Sequence, residues 1–220
     1  MTDVQFHAAT AGDVKIVPAV GGVIGQEGEQ EGFFRSLLGK NPSESPFITG
    51  GARDFAWSAL FQNFIVAGSC DPAIQQNVNL TVFEPLHTIG DVKTDLADSV
   101  LGFSIPTYDT LKGLAVGSGF WTQGAINTWQ CSNGTAPASL PTAQQVSLVY
   151  LTGSQLPIAE PLLDWSVAGG SATFEAEFPF LSGNMSHGLT IGAVASGCKF
   201  VNADDVASKT LFGPALIEVG

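Results

Sequence analysis

Residues 169–178 of the chain read GGSATFEAEF, two glycines followed by an alternation of apolar and polar side chains. Successive side chains of a strand point to opposite sides, so Phe174 and Phe178 share one face and Glu175 and Glu177 share the other. A glycine pair between two such runs is typical of a tight hairpin turn. The stretch therefore predicts a β-strand with one buried and one solvated face, entered from a hairpin.

Similar short runs of β-branched and aromatic residues recur along the chain from about residue 78, with turn-forming residues between them. The predicted strands cover residues 78–86, 99–105, 113–121, 125–130, 145–152, 162–167, 172–178, 189–195 and 215–219. Seven or more short strands in about 140 residues favour a mainly β fold, an antiparallel β-sandwich of immunoglobulin-like type.

Residues 1–70 differ from the rest because their pattern is helical, after a lead-in of about 16 residues without a sustained period. Between Pro18 and Leu38 the apolar residues recur at spacings of three and four, which predicts a helix. Over residues 52–64 a second, short helix competes with a strand. We therefore expect a helical segment at 1–70 and the β-sandwich domain at 71–220.

The first predicted helix is rich in glycine, and each interior glycine weakens a helix by about 1 kcal/mol relative to alanine. Gly25, Gly28 and Gly32 fall along one side, so we predict that this side packs closely against another backbone. Glu27 and Glu31 interrupt the apolar stripe of the helix. An exposed stripe favours association, so we expect either the β-domain or a second copy of the chain, in a homodimer, to cover it.

The overall composition limits the partners of the chain. Of its 220 residues 45% are hydrophobic and 13% are charged, which predicts a folded domain. Eight basic and twenty acidic residues give a formal net charge of -12, which would repel a phosphate backbone, so we expect no nucleic-acid partner. No stretch approaches the roughly 18 apolar residues of a spanning helix, and the first residues lack the pattern of a signal peptide, so we expect no membrane span.

Three Asn-x-Ser/Thr sequons, at Asn79, Asn133 and Asn184, are candidate glycosylation sites and predict passage through the secretory route. The three cysteines are too far apart for a zinc knuckle or a Cys-x-x-Cys redox motif. One disulfide and one free thiol are compatible with this spacing, and the sequence leaves the pairing open. The cysteines are Cys70, Cys131 and Cys198.

A motif rich in glycine and glutamate resembles a known family. It reads VIGQEGEQEGFFR at residues 23–35, followed by PFIT at 46–49, and it is supported by FIVAGSC at 64–70 and GPALIEV at 213–219. These segments resemble the fungal secreted late sexual development and stress-response proteins that carry a ferritin-like domain. The resemblance covers mainly residues 20–71 and the last few residues.

The resemblance implies an extracellular or cell-wall location and a helical bundle followed by a β-domain. It also implies a role linked to stress or sexual development, without a defined reaction. The chain departs from the family by lacking a secretion signal and the earlier bundle helices, so it looks like the last bundle helix with its β-domain. A truncated gene, a shortened form and a true short relative are the alternatives.

The resemblance also raises the question of a metal site, because ferritin-like oxidases hold two metals through Glu and Glu-x-x-His motifs. The matching place in this chain reads EGEQ at residues 27–30, so glutamine stands where histidine would bind the metal. Glutamine is a poor substitute for imidazole as an iron ligand. Glu27 and Glu31 are therefore vestigial candidates for metal ligands, and we expect no cofactor.

The remaining groups of candidate residues give weaker predictions of a functional site. The histidines are isolated and the sequence has no Gly-x-Ser-x-Gly elbow, so it names no catalytic nucleophile. Acid pairs for glycoside hydrolysis would come from strand carboxylates such as Glu175 and Glu177, whose separation the sequence does not fix. An aromatic platform for stacking sugars would use Trp121, Trp129 and Trp165, of which Trp129 is expected to be the most exposed.

Together with the family resemblance, which implies the fungal type, the cell-wall or extracellular location and the link to stress or development, these patterns predict a non-enzymatic protein that acts by binding or cohesion. Two alternatives stay open. One is a carbohydrate-binding β-sandwich module with cell-wall polysaccharide as its partner, and the other is a ferritin-like metal-binding oxidase with a degenerate site.

Overall fold

The computed structural model of the chain describes residues 2–40, 49–66, 68–69, 71, 80–90, 98–106 and 146–219. Within these residues the helices are α1 (Thr2–Thr10), α2 (Ile16–Leu37), α3 (Arg53–Asn63) and α4 (Ala203–Ala207). The strands are β1 (His87–Ile89), β2 (Ser99–Ile105), β3 (Val146–Thr152), β4 (Ile158–Glu160), β5 (Leu163–Ala168), β6 (Ser171–Phe178), β7 (Gly188–Ser196) and β8 (Thr210–Val219).

The strands form two four-stranded antiparallel sheets that enclose one hydrophobic core. The strand order is β1-β2-β6-β5 in the first sheet and β4-β3-β7-β8 in the second. Phe103 and Phe174 of the first sheet meet Tyr150 and Ile217 of the second in this core, and each is at most 1% exposed. The prediction of a mainly β fold built as an antiparallel β-sandwich is confirmed.

Strand β6 lies inside the first sheet and has the predicted alternation. Phe174 and Phe178 are buried, whereas Glu175 and Glu177 are exposed on the outer face. The Phe174 ring stacks between the rings of Phe103 and Trp165, with centroid distances of 5.2 and 5.7 Å. The period of two in the sequence therefore places Phe174 in this stack of three aromatic rings.

The turn between β5 and β6 is the hairpin that the two glycines predict. Gly169 and Gly170 have φ angles of 58° and 83°, and the flanking Ala168 and Ser171 are paired. Two consecutive residues with positive φ are the requirement of a type I′ turn, which glycine meets without a steric cost.

Most of the predicted strands are found within a few residues of their predicted bounds. Predicted strand 99–105 coincides with β2, and the strands predicted over 145–152, 162–167, 172–178, 189–195 and 215–219 correspond to β3, β5, β6, β7 and β8. The strands predicted over 113–121 and 125–130 lie outside the described residues.

The strand predicted over 78–86 is wrong for its described part, where Glu84 makes an isolated bridge and β1 begins only at His87. Side chains of α3 bond the backbone of this segment instead. The Asp54 carboxylate accepts from the Thr81 N–H at 2.6 Å, and the Gln62 amide donates to the Phe83 carbonyl at 2.9 Å. The apolar residues of this segment pack against helix α3, so their pattern does not produce the backbone pairing of a β-strand.

The helix predicted between Pro18 and Leu38 is confirmed as α2. Of the two alternatives left open over 52–64, the structure has the helix, α3. The lead-in without structure is wrong, because α1 occupies it. Tertiary contact holds this helix, since the Gln5 side-chain amide donates to the Val17 carbonyl at 3.0 Å. A short helix fixed by packing need not carry a strong period of its own.

Within the described part of the chain, the predicted close packing of the glycine side of α2 is not seen at Gly25 or Gly28. A Cβ built on Gly25 or Gly28 meets nothing within 4 Å. The close approach is at Gly21 instead, where the added Cβ would lie 3.0 Å from Nε2 of Gln5. Helix α1 therefore meets α2 near its beginning, and most of the glycines of α2 face open space.

Helix α3 belongs to the sandwich by its packing. Phe55 joins Val149, Ile191 and Ala193 in a second hydrophobic cluster on the outer face of the second sheet. Val206 of α4 is fully buried in the same cluster. The outer face of this sheet is therefore covered by apolar contacts, unlike the outer face of β6.

Candidate functional site

Helix α2 ends in a surface of large apolar side chains. Phe33, Phe34, Leu37 and Leu38 are exposed to 61%, 57%, 68% and 74%. We call these four residues the α2 patch. Successive residues of a helix are about 100° apart, so the four side chains fall within an arc of about 140° and form one continuous surface.

The size of the α2 patch distinguishes it from scattered exposed residues. If a fully exposed large apolar side chain presents about 150–200 Å², the patch exposes on the order of 400–500 Å². Patches of this size on a single chain are often interaction sites. Ile16 and Val23 are exposed further along the same side of α2 and extend the surface toward its N-terminal end.

Arg35 fixes the direction in which the α2 patch points. It lies on the opposite side of the helix, is 5% exposed, and its Nη1 donates to Oε1 of Glu218 on β8 at 2.8 Å. Lys40 donates to the same oxygen at 3.2 Å. This attachment turns Arg35 toward the sandwich and leaves the patch facing solvent.

The apolar stripe of α2 is not covered by the β-domain, so that part of the covering prediction is wrong for the described structure. Phe34 and Leu38, both members of the predicted stripe, are more than half exposed. Helix α1 packs on another side of α2, through Gln5 and Gly21. The alternative cover, a second copy of the chain, stays a prediction.

The two candidate metal ligands project into solvent from α2. Glu27 and Glu31 are both exposed. Among the residues that the structure describes, no group of three or more His, Cys, Asp and Glu side chains is arranged to hold a metal ion. Glu27 shares the side of α2 that carries Val23 and Phe34, so it places a charge beside the apolar surface.

The aromatic platform is tested only through Trp165. This residue is 3% exposed and stacks on Phe174, so it belongs to the core and does not face a ligand. Trp129, the predicted exposed member, and Trp121 lie outside the described residues.

Of the three sequons, the structure describes that of Asn184, while Asn79 and Asn133 lie outside the described residues. Asn184 is exposed in the turn after β6 and has a φ of 50°. Cys198 is half-buried with a free thiol, and the predicted disulfide is untested because Cys70 and Cys131 are not among the described residues.

An open cavity of about 600 Å³ lies between α1, Gly50, Gly51 and the turn that joins β3 to β4. Its rim carries Phe6, Leu156 and Val201, each more than 60% exposed, and its polar lining includes Gln155 and Asp204. Such a surface has room for a small ligand. The sequence did not point to it because α1, which contributes Phe6, was not predicted.

Glu160 on β4 is a further titratable group that the sequence analysis did not single out. Burial, and secondly the charge of Glu177, raise the pKa of Glu160 to about 7. A lone glutamate in a short apolar run carries no sequence signal for such a shift. The strand register has to be known before the neighbours of Glu160 can be named.

Neither a family model nor a curated protein matches this chain. The resemblance to the ferritin-like stress-response proteins therefore rests on the motifs of the sequence. None of the described helices is both long enough and apolar enough to cross a membrane.

Proposed function

We propose that this chain is a non-enzymatic secreted or cell-wall-associated protein of fungal type, linked to stress or development, that acts by cohesion between copies of itself. The α2 patch is the observation that carries the proposal. Its side chains are exposed at the end of a helix whose other side is attached to the sandwich through Arg35. Burying them against a second α2 patch would remove apolar surface from water on both copies.

The area of the surface supports a second copy as its partner. A standard interface buries about 800 Å² on each partner, and the α2 patch supplies roughly half of that. Ile16 and Val23, exposed on the same side, extend it toward the required size. Two-fold symmetric pairing of one surface with itself is the commonest form of association between identical chains.

Charge modulates this association. Each copy carries a formal net charge of -12, so two copies repel each other at low ionic strength. Salt screens this repulsion over about 10 Å at 0.1 M. We therefore expect the dimer to become more stable as salt concentration rises, which is the behaviour of an apolar contact between like-charged partners.

Sedimentation equilibrium on the full chain tests the proposal, with the double variant Phe34→Gln/Leu37→Gln. Glutamine has nearly the helix propensity of leucine, so the substitutions are expected to keep α2 while making the patch polar. The expected result is a dimer for the unmodified chain and at least a tenfold weaker association for the variant, a loss of about 1.4 kcal/mol.

Leu181→Gln is the matched control, because Leu181 is 64% exposed in the turn after β6, away from α2. It should dimerise as the unmodified chain does. A chain that stays monomeric at every concentration reached, or an equal loss in the control and the variant, contradicts cohesion through the α2 patch.

A separate experiment tests the proposed secretory location. The motif resemblance and the three sequons support passage through the secretory route, and Asn184 is accessible to a glycan. Mass spectrometry of protein from the source organism should find a glycan at one or more of the sequons. Unmodified sequons throughout would contradict the secretory location and would leave the cohesion proposal to its own experiment.

A further inference from the structure

Strand β4 lies at the edge of the second sheet and carries a carboxyl group directed toward the core. Glu160 is paired with Leu148 of β3, and directly paired residues project from the same face of a sheet. Leu148 is fully buried between the two sheets. Glu160 therefore points toward the same interior, at the place where the chain leaves β4 to enter β5 of the other sheet.

Two titratable groups are coupled electrostatically to Glu160. Tyr150 of β3 is fully buried, and its hydroxyl has no hydrogen-bond partner among the residues that the structure describes. Glu177 of β6 places a second carboxylate within electrostatic reach. Asp164 of β5 and Glu175 of β6 are exposed to solvent and are not among the groups that shift the pKa of Glu160. Among the described residues, Glu160 therefore meets the apolar core, a neutral phenol and one like charge.

These surroundings favour the neutral form of Glu160. Burial, with the like charge of Glu177 as the second cause, raises its pKa from 4.5 to about 7. Burial likewise raises the pKa of Tyr150 well above 10, with the charge of Glu160 as the second cause. Ionising Glu160 therefore places a charge in poorly hydrated surroundings and near a like charge, and both effects disfavour the ionised form.

Strand β4 is a weak element to hold such a charge. It has three residues, all of them only half-buried, and its pairing with β3 ends at Tyr150 and Ile158. Ile158 is the residue of β4 that packs against the main core. Little contact therefore opposes its release.

We propose that β4 is a pH-sensitive edge strand, which stays docked on β3 while Glu160 is protonated and leaves it when Glu160 ionises. The docked form is fully favoured below about pH 4.5, where the group is protonated whether docked or released. The free energy that favours the docked form over the released form falls as pH rises from about 4.5 through about 7. Above about pH 7 it stays constant. Release uncovers the backbone N–H and C=O groups of β3, an unpaired edge to which another strand can add.

Amide hydrogen exchange of the full chain at several pH values tests this device. After correction for the intrinsic rate, protection of β4 should fall by at least about tenfold between about pH 5 and about pH 8.5, while that of β7 stays constant. Glu160→Gln, a neutral group of the same shape, should remove the pH dependence. Glu175→Gln, on the exposed outer face of β6, should retain it.

Constant protection of β4 in the unmodified chain overturns the proposal, and so does an equal fall in Glu160→Gln. Should that variant not fold, carboxyl carbon NMR of the unmodified chain replaces it. A titration midpoint of the Glu160 carboxyl group well above pH 4.5, together with loss of β4 protection over the same pH range, supports the proposal. A titration midpoint near pH 4.5 overturns it. Neither experiment depends on association through α2.

Discussion

The sandwich and the helical hairpin α1–α2 belong to one chain but bury their side chains very differently. In the sandwich, Phe103 and Phe174 are almost completely removed from water. In the described part of the hairpin, the buried side chains are Ala8 and Arg35, while Phe33 and its neighbours face solvent. Burial of apolar area stabilises the first region, whereas a few specific polar contacts position the second.

The contrast shows that a regular local period does not guarantee a packed face. Both α2 and β6 have clear sequence patterns, yet within the described chain the apolar face of β6 is buried while Phe34 and Leu38 of the α2 stripe stay exposed. Helix α3 follows the sandwich in this respect, because Phe55 is buried against the second sheet. Whether an apolar face becomes buried depends on the element that lies opposite it, and the local sequence pattern does not predict that element.

The largest expected effect is that of Phe174→Ala. Phe174 is stacked between two aromatic rings and 1% exposed, so its truncation should lower the free energy of unfolding by about 3–5 kcal/mol. Phe34→Ala, in the α2 patch, should change it by less than about 0.5 kcal/mol in dilute protein. Urea unfolding followed by circular dichroism measures both, and similar costs would abolish the contrast.

Ser58→Ala tests whether α3 is part of the sandwich. The Ser58 hydroxyl accepts from the Phe83 N–H at 3.0 Å and donates to the Thr81 carbonyl at 3.2 Å. Phe83 is buried, so losing this acceptor should cost about 1–3 kcal/mol of unfolding free energy. Ser36→Ala, at an exposed position of α2, is the control and should cost nothing measurable. Equal effects would place α3 with the hairpin.

Glu218→Gln addresses the attachment of α2. It removes the carboxylate that faces both Arg35 and Lys40, so docking of the helix end should weaken by about 1 kcal/mol. Faster amide exchange near the C-terminal end of α2, with β2 unaffected, is the expected signature. High salt should reduce the difference from the unmodified chain. Unchanged exchange would show that other contacts of Arg35 hold the helix.

Gly28→Ala should have the smallest effect and the opposite sign. Nothing lies within 4 Å of the added Cβ, and alanine has the higher helix propensity. Stabilisation of α2 by about 0.5 kcal/mol is expected, seen as slower amide exchange in the middle of the helix. Destabilisation would mean that this side of α2 is packed after all.

The sequence predicted the sandwich well because its strands combine a period of two with turn chemistry. Residues 169–178 specify the faces of β6 and the turn before it. The sequence did not predict the elements that are held by tertiary contacts. One is α1, which Gln5 attaches to α2. The other is the segment 80–86, whose backbone is hydrogen-bonded to side chains of α3.

The candidate surface was predictable only in part. The apolar stripe of α2, with Phe34 and Leu38, is visible in the sequence, but its exposure depends on what the rest of the fold leaves uncovered. Glu160 was not found at all, because its shifted pKa arises from burial and from Glu177, which lies on a strand of the other sheet and comes close only through the packing of the two sheets.

The turn that presents Asn184 also constrains when a sugar can be attached to it. Met185, the next residue, is buried in the core, and the N–H of Ser186 donates to the Thr152 hydroxyl of β3 at 3.0 Å. An enzyme that grips all three residues of the sequon would have to pull Met185 out and break that bond. Any glycosylation at Asn184 would therefore have to precede closure of the sandwich, and a glycan there would record the order in which the chain was modified and folded.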